Sequence, residues 1–225
     1  MRKFAFIPML LFISIYSQAQ QLRIRPLLAF GSSSEINDGS ISWGEDEIPG
    51  ERKFKPSYAL GIGADYSLGK HWTLGLDMMY SKEGKNIRYK SESNFYDYNN
   101  ESNVNYFRIP VNISYYFRKP TAKIRPYLST GVALGILLRQ RVNYKPNNSQ
   151  TSDLFASADI LIPEYKTIDF GVQLGAGCQY KLNQKTAIFA EVKYYNGAII
   201  PIEPALINER NQNLRIQIGY SFCLK

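Results

Sequence analysis

The sequence holds one histidine and two cysteines. Beyond residue 20 it has no apolar run approaching the ~18 residues that a spanning helix needs. Each scarcity closes off a class of function. Two cysteines, Cys178 and Cys223, are too few for a disulfide framework. A single histidine, His71, leaves no partner for paired-histidine metal or acid–base chemistry. Helix signals are nearly absent after residue 20. Basic blocks and basic helices are absent as well, so the formal net charge of +8 is spread along the chain and does not point to nucleic acid.

The N-terminus is different in kind. Arg2 and Lys3 precede an apolar run from Phe4 to Tyr16, and Ser17-Gln18-Ala19 supplies small residues at the −3 and −1 positions of a cleavage site. That is the anatomy of a secretory signal peptide. The expected division is therefore 1–19 as signal peptide, cleaved after Ala19, and 20–225 as one domain. No cysteine follows the apolar run, which argues against a lipid anchor.

What fills the rest is period-two alternation. In 169–181, Phe170, Val172, Leu174, Ala176, Cys178 and Tyr180 alternate with Asp169, Gly171, Gln173, Gly175, Gly177, Gln179 and Lys181. Residues 214–225 repeat the pattern. Eight such segments are predicted, at about 22–31, 57–68, 72–83, 103–117, 123–138, 168–181, 186–196 and 212–224. The connections alternate short (near 69–71, 118–122 and 183–185) and long (near 32–56, 84–102, 139–167 and 197–211). Tight turns at one end and long loops at the other describe an eight-stranded antiparallel up-and-down transmembrane β-barrel, with both termini on the periplasmic side.

The aromatic residues test this. They make up 14% of the chain, and 17 are tyrosine. With strand directions taken from the loop pattern, those on the apolar face sort into two levels. Phe30, Tyr58, Tyr80, Phe107, Phe170 and Tyr194 fall at the outer end. Tyr66, Trp72, Tyr115, Phe117, Tyr180, Tyr220 and Phe222 fall at the periplasmic end. The levels are about 8–10 residues apart, roughly 19–23 Å at ~3.3 Å per residue and ~45° tilt, close to the ~25 Å apolar band of such barrels. The opposite face then lines the lumen. It carries Arg23, Arg25, Asp65, Asp77, Arg108, Asn112, Lys123, Arg125, Gln173, Gln179, Lys181, Glu191, Lys193, Arg215 and Gln217, with many glycines. An eight-stranded barrel has room only for side chains, and charges there must pair or be hydrated. Asp65, Asp77 and Glu191 are the expected counter-ions for part of the arginine set, in a plugged and wet interior.

Ordered along the chain, Tyr106-Phe107-Arg108-Ile109-Pro110-Val111, Arg125-Pro126-Tyr127-Leu128-Ser129-Thr130-Gly131, Asp169-Phe170-Gly171, Gly175-Ala176-Gly177, Glu191-Val192-Lys193-Tyr194 and Gly219-Tyr220-Ser221-Phe222 resemble the outer-membrane β-barrel domain family that includes PorT-like small barrels. The resemblance implies an integral outer-membrane protein and little about activity. A final aromatic residue is usual in such barrels, whereas here Cys223-Leu224-Lys225 follows Phe222.

The expected function is a structural, surface-binding or export-accessory role without catalysis. No catalytic, cofactor or metal residue is assigned. His71 falls in a periplasmic turn, whereas outer-membrane lipases, acylases and proteases place theirs near the outer rim, so it reads as a solvated turn residue. Cys178 faces lipid and Cys223 the lumen, two strands apart, and both read as buried inert thiols. The acidic loop with Glu35, Asp38, Glu45, Asp46, Glu47 and Glu51 reads as solvated rather than as a cation site. The Tyr- and Asn-rich stretch from Asn94 to Asn100 reads as a polar hairpin extending above the membrane rather than as a glycan-binding loop. Expected partners are outer-membrane lipid, lipopolysaccharide and, through the long outer loops, envelope or export proteins. Two other readings stay open: a narrow pore for small solutes, and a soluble lipocalin-like binding barrel.

Overall fold

The computed structural model describes residues 22–36, 41–43, 46–48, 50–91, 97–152, 164–165, 167–198, 202–203 and 210–224. The expected signal peptide lies outside these, as do Asp38 and Glu45 of the acidic loop. Eight long strands carry the fold: β1 (Leu22–Ile36), β2 (Lys55–Ser67), β3 (Trp72–Lys90), β4 (Asp97–Tyr116), β5 (Ile124–Pro146), β6 (Ile168–Lys181), β7 (Thr186–Gly197) and β8 (Arg210–Cys223). Each pairs antiparallel with its sequence neighbours. β1 also pairs with β8, from Arg23 opposite Cys223 to Ile36 opposite Arg210, which closes the barrel. No helix among the described residues is long and apolar enough to cross a membrane; the strands cross it instead.

Alternation decides which residues face where. On β2, Tyr58, Leu60 and Ile62 point outward, and Leu60 is 59% exposed, while Lys55, Ser57 and Ala59 are buried inside. The same holds around the ring, where Leu76, Val132, Leu174, Val192 and Ile216 stand outward. An apolar exterior over a polar interior is stable only in lipid, so the soluble-barrel reading falls on the orientation of the faces.

The two aromatic levels are in register. Phe30 lies opposite Tyr58, and Tyr80 opposite Phe107, at the outer end. At the other end Trp72 pairs with Tyr115, ring centroids 4.9 Å apart, and Tyr115 meets Phe117 edge-on at 5.5 Å.

Two prolines interrupt the ladder, because proline has no N–H to give. No pairing joins Arg25 and Pro26 to β8, and none joins Asp77 and Met78 to the Ile109–Pro110 stretch of β4.

Three predicted loops are partly strand. β1 runs on to Ile36, the β3–β4 hairpin fills most of 84–102, and β5 continues to Pro146. The continuations of β3, β4 and β5 rise about ten residues beyond the outer aromatic level, roughly 30 Å along the strand. Gly84 stands at their base with φ +142°, and a β-carbon there would strike the backbone of Ser102. A shift of register between Asn105 and Tyr106, opposite Leu137 to Arg139, marks the same level.

Candidate functional site

The lumen is organised around Arg108. From β4 its Nε and Nη2 donate to the two oxygens of Glu83 on β3, at 2.9 and 2.6 Å. Its Nη1 lies 2.6 Å from Asp169 on β6. Its guanidinium is sandwiched between the rings of Tyr106 and Tyr195, at 4.5 and 4.4 Å. Glu83 is shared further with Arg215 at 3.1 Å, and Ser81 and Asn213 donate to it at 2.6 and 3.0 Å. Asp169 also accepts from Tyr195 and Asn211, both at 3.0 Å. A planar guanidinium with two bidentate-capable acids and two ring faces uses its full recognition capacity. Nearer the periplasm Arg25 bridges Asp65 at 2.9 Å and Asp77 at 2.8 Å and lies over Phe189. At the periplasmic mouth Arg125 stacks on Tyr116 and reaches Gln179 and the Lys70 and Arg118 carbonyls.

These layers leave a cavity of about 30 Å3 beside Glu83, Arg108, Gln173, Lys193 and Arg215, room for a water or two and no more. Aromatic rings occupy the rest, against glycines that make space for them. A β-carbon on Gly177 would come within 2.6 Å of the Tyr127 ring, and one on Gly171 within 2.7 Å of Tyr195.

Most lumen positions read from the sequence are where parity puts them. Asp65 and Asp77 pair with Arg25. Glu191 does not serve an arginine; it accepts from the Ser129 hydroxyl and meets Lys193 at 3.3 Å. The acids that hold Arg108 and Arg215 are Glu83 and Asp169. Glu83 escaped because it stands at the last residue of the predicted third segment, although its odd number matches the lumen face. Asp169 is on the polar face, but nothing in the sequence marks it as a counter-ion. Lys123 is not in the lumen: it is exposed, with Nζ 5.3 Å from the ring of lipid-facing Tyr180.

His71 is held rather than freely solvated. Its Nδ1 lies 2.7 Å from the Tyr116 carbonyl, which requires the proton on that nitrogen, and its ring stacks on Tyr115. Both cysteines are free thiols. Neither is buried: Cys178 is exposed on the outward face and Cys223 is half-buried at the rim. Among the described residues no three His, Cys, Asp or Glu side chains gather as a metal site.

Above the outer aromatic level the strands build a second assembly. Tyr89, Tyr98 and Tyr144 pack together, with centroids 5.2 and 6.2 Å apart, beside Ile87. Arg88 donates two hydrogen bonds to Asp97, at 2.9 and 2.6 Å, and Asn147 adds a third at 2.7 Å. Together they hold the Asp97 carboxyl at about 2, below the usual range, with Arg88 the largest cause. Lys145 and Lys55 each donate to Glu101 at 2.7 Å and lower it likewise to about 2. Tyr98 is pushed upward by burial. The hairpin expected between Asn94 and Asn100 is therefore present from Asp97 on; residues 92–96 lie outside the described set.

The sequence matches the family described as outer membrane protein beta-barrel domain over residues 18–201. No curated protein matches it. Among solved structures it is similar to the outer membrane protein OprG from Pseudomonas aeruginosa, at 13% identity and TM-score 0.51, covering 91% of this chain and 95% of that one. Neisserial surface protein A, NspA, follows at 15% identity and TM-score 0.48, covering 92% and 100%. The outer membrane enzyme PagL gives 13% and 0.43, covering 89% and 99%. At 13% identity the likeness to OprG is one of fold.

Proposed function

The chain belongs to the outer membrane protein β-barrel domain family, is integral to that membrane, and from this premise we propose that it acts as a closed, non-catalytic anchor presenting a surface-binding tier. Residues 1–19 export it and are removed. The upper parts of β3, β4 and β5 are the binding part. Arg139 and Arg141 are exposed just above the outward-facing Ile136 and Leu138, at the height of lipopolysaccharide phosphates, which charged guanidinium groups bind well. Envelope or export proteins meet the loops above.

The observation that carries this reading is the Arg108 layer. A guanidinium fixed by two carboxylates and two rings, across a lumen that admits only water-sized space, supports a plug over a pore. Planar-bilayer recording of the refolded chain is the test. No discrete conductance steps are expected, and Arg139→Ala/Arg141→Ala is expected to weaken lipopolysaccharide retention without changing that silence. Steady single-channel steps would replace the anchor with a narrow pore.

A further inference from the structure

On the outer surface, where β1, β8, β7 and β6 lie side by side, runs a groove of about 780 Å3. Leu28, Leu60, Ile188 and Ile218 line it, and it lies over the break that Pro26 makes in the β1–β8 ladder. The small side chains Cys178 and Ala190, opposite each other on neighbouring strands, leave the surface low there. Tyr180 and Tyr220, of the periplasmic aromatic level, also border the groove. The groove therefore opens at the depth of the periplasmic leaflet and rises from there towards Leu28 and Leu60.

A second, independent feature meets it at that end. The three short turns between β2 and β3, β4 and β5, and β6 and β7 carry Lys70, Arg118, Lys119, Lys123 and Lys185 and no Asp or Glu. Just inside the mouth, Arg125 and Lys181 meet neutral acceptors: backbone carbonyls and the Gln179 amide. Among the described residues none of these seven cations has a carboxylate within ion-pair distance, whereas Arg25, Arg108, Lys145, Lys193 and Arg215 all do. Lys123 joins the two features, because its ammonium lies over the ring of Tyr180.

We propose that the groove and the cationic rim together hold an anionic phospholipid of the periplasmic leaflet, with an acyl chain along the groove and its phosphate against Lys123. A soluble anion would use the rim and leave the groove empty. A zwitterionic lipid would use the groove and leave the rim short of negative charge. Lipopolysaccharide stands at the opposite aromatic level. The site rests on the membrane orientation above, not on whether the tier binds anything.

The test uses the full folded chain, stripped of lipid in detergent and titrated by native mass spectrometry with dioleoyl phosphatidylglycerol, with dioleoyl phosphatidylethanolamine as its zwitterionic match. Two or more cations near one phosphate predict retention of the anionic lipid about tenfold over its match. Lys123→Glu lowers that retention about fivefold or more. Ala190→Trp fills the groove and lowers retention of both lipids. Both residues are on the outer surface, so the unboiled, faster-migrating band on a gel persists in each variant. Equal retention of the two lipids overturns the proposal, as does retention unchanged in Lys123→Glu. A loss in Lys123→Glu with none in Ala190→Trp overturns the groove. A native chain without the fast band would instead overturn the barrel reading itself.

Discussion

In β3 the apolar residues from Trp72 to Tyr80 have even numbers and face outward; a few residues on, Ile87 and Tyr89 are apolar at odd numbers and are buried. β4 does the reverse along the same line: Phe107, Ile109, Val111, Ile113 and Tyr115 point outward at odd numbers, while Tyr98, Val104 and Tyr106 are buried at even ones, Val104 and Tyr106 with no exposure at all. The backbone pleat does not change between the two regions. The solvent outside does. Below the outer aromatic level the exterior is hydrocarbon, so apolar side chains go out and charges are left to neutralise one another within. Above it the exterior is water, and the hydrophobic effect turns the pattern over. A strand that keeps its pairing but exchanges its faces marks where the membrane ends.

The sharpest way to break the comparison is inside the lower region. Glu83→Ala removes a carboxylate shared by Arg108 and Arg215 and leaves both buried with less than their countercharge. A loss of about 3–5 kcal/mol follows for a broken buried pair, read as a lower urea midpoint for disappearance of the heat-shifted band. The shared acid of the upper region, Glu101, is partly exposed, and so is its partner Lys145, so its loss costs less.

A paired substitution tests the exchange of faces itself. Leu76→Arg places a charge outward in the middle of the apolar band and costs about 2–4 kcal/mol. Asn143→Arg places the same charge outward in the tier, opposite Glu101, and stays within about 0.5 kcal/mol. Similar costs at the two sites in lipid-reconstituted protein would refute the placement of the boundary.

Acid acts on the tier, and weakly. Asp97 and Glu101 are held at about 2, below the ordinary values of about 4. Their contribution is complete above the ordinary value and is lost as pH falls through the lowered one. Near-UV circular dichroism of the Tyr89–Tyr98–Tyr144 cluster is expected to be flat from pH 7 to 5 and to decline between about 4 and 2. The Asp97→Asn/Glu101→Gln double variant removes that decline.

Strand number, order and inward residues were legible in the sequence because period two survives in every segment and only one face tolerates charge. Asp65 and Asp77 were legible as arginine counter-ions for the same reason; that their partner is Arg25 was not. The tier was not. Its alternation is weakened by Asn99, Asn100, Ser102 and Asn103, and its apolar parity opposes that of the strands beneath, so a search for one continuous pattern ends at the inversion. Glu83 lies at that end, where parity alone does not mark it as a lumen acid. The rings that fill the lumen, Tyr106, Tyr116, Tyr127 and Tyr195, were hidden by composition: an aromatic residue on the polar face of a strand looks like noise until its opposing glycine is seen. Lys123 was misplaced because strand parity does not govern the first residue after a turn.

The β1–β8 seam has one more consequence. It joins Arg23 to Cys223, so it cannot close before β8 has been made. Until synthesis and delivery are complete, the sheet has two bare edges, each able to template pairing with another chain. Closure over so long a sequence separation is intrinsically slow. The nascent barrel therefore needs escort through the aqueous compartment it crosses, and a copy truncated anywhere before β8 is a sticky open sheet rather than a smaller barrel.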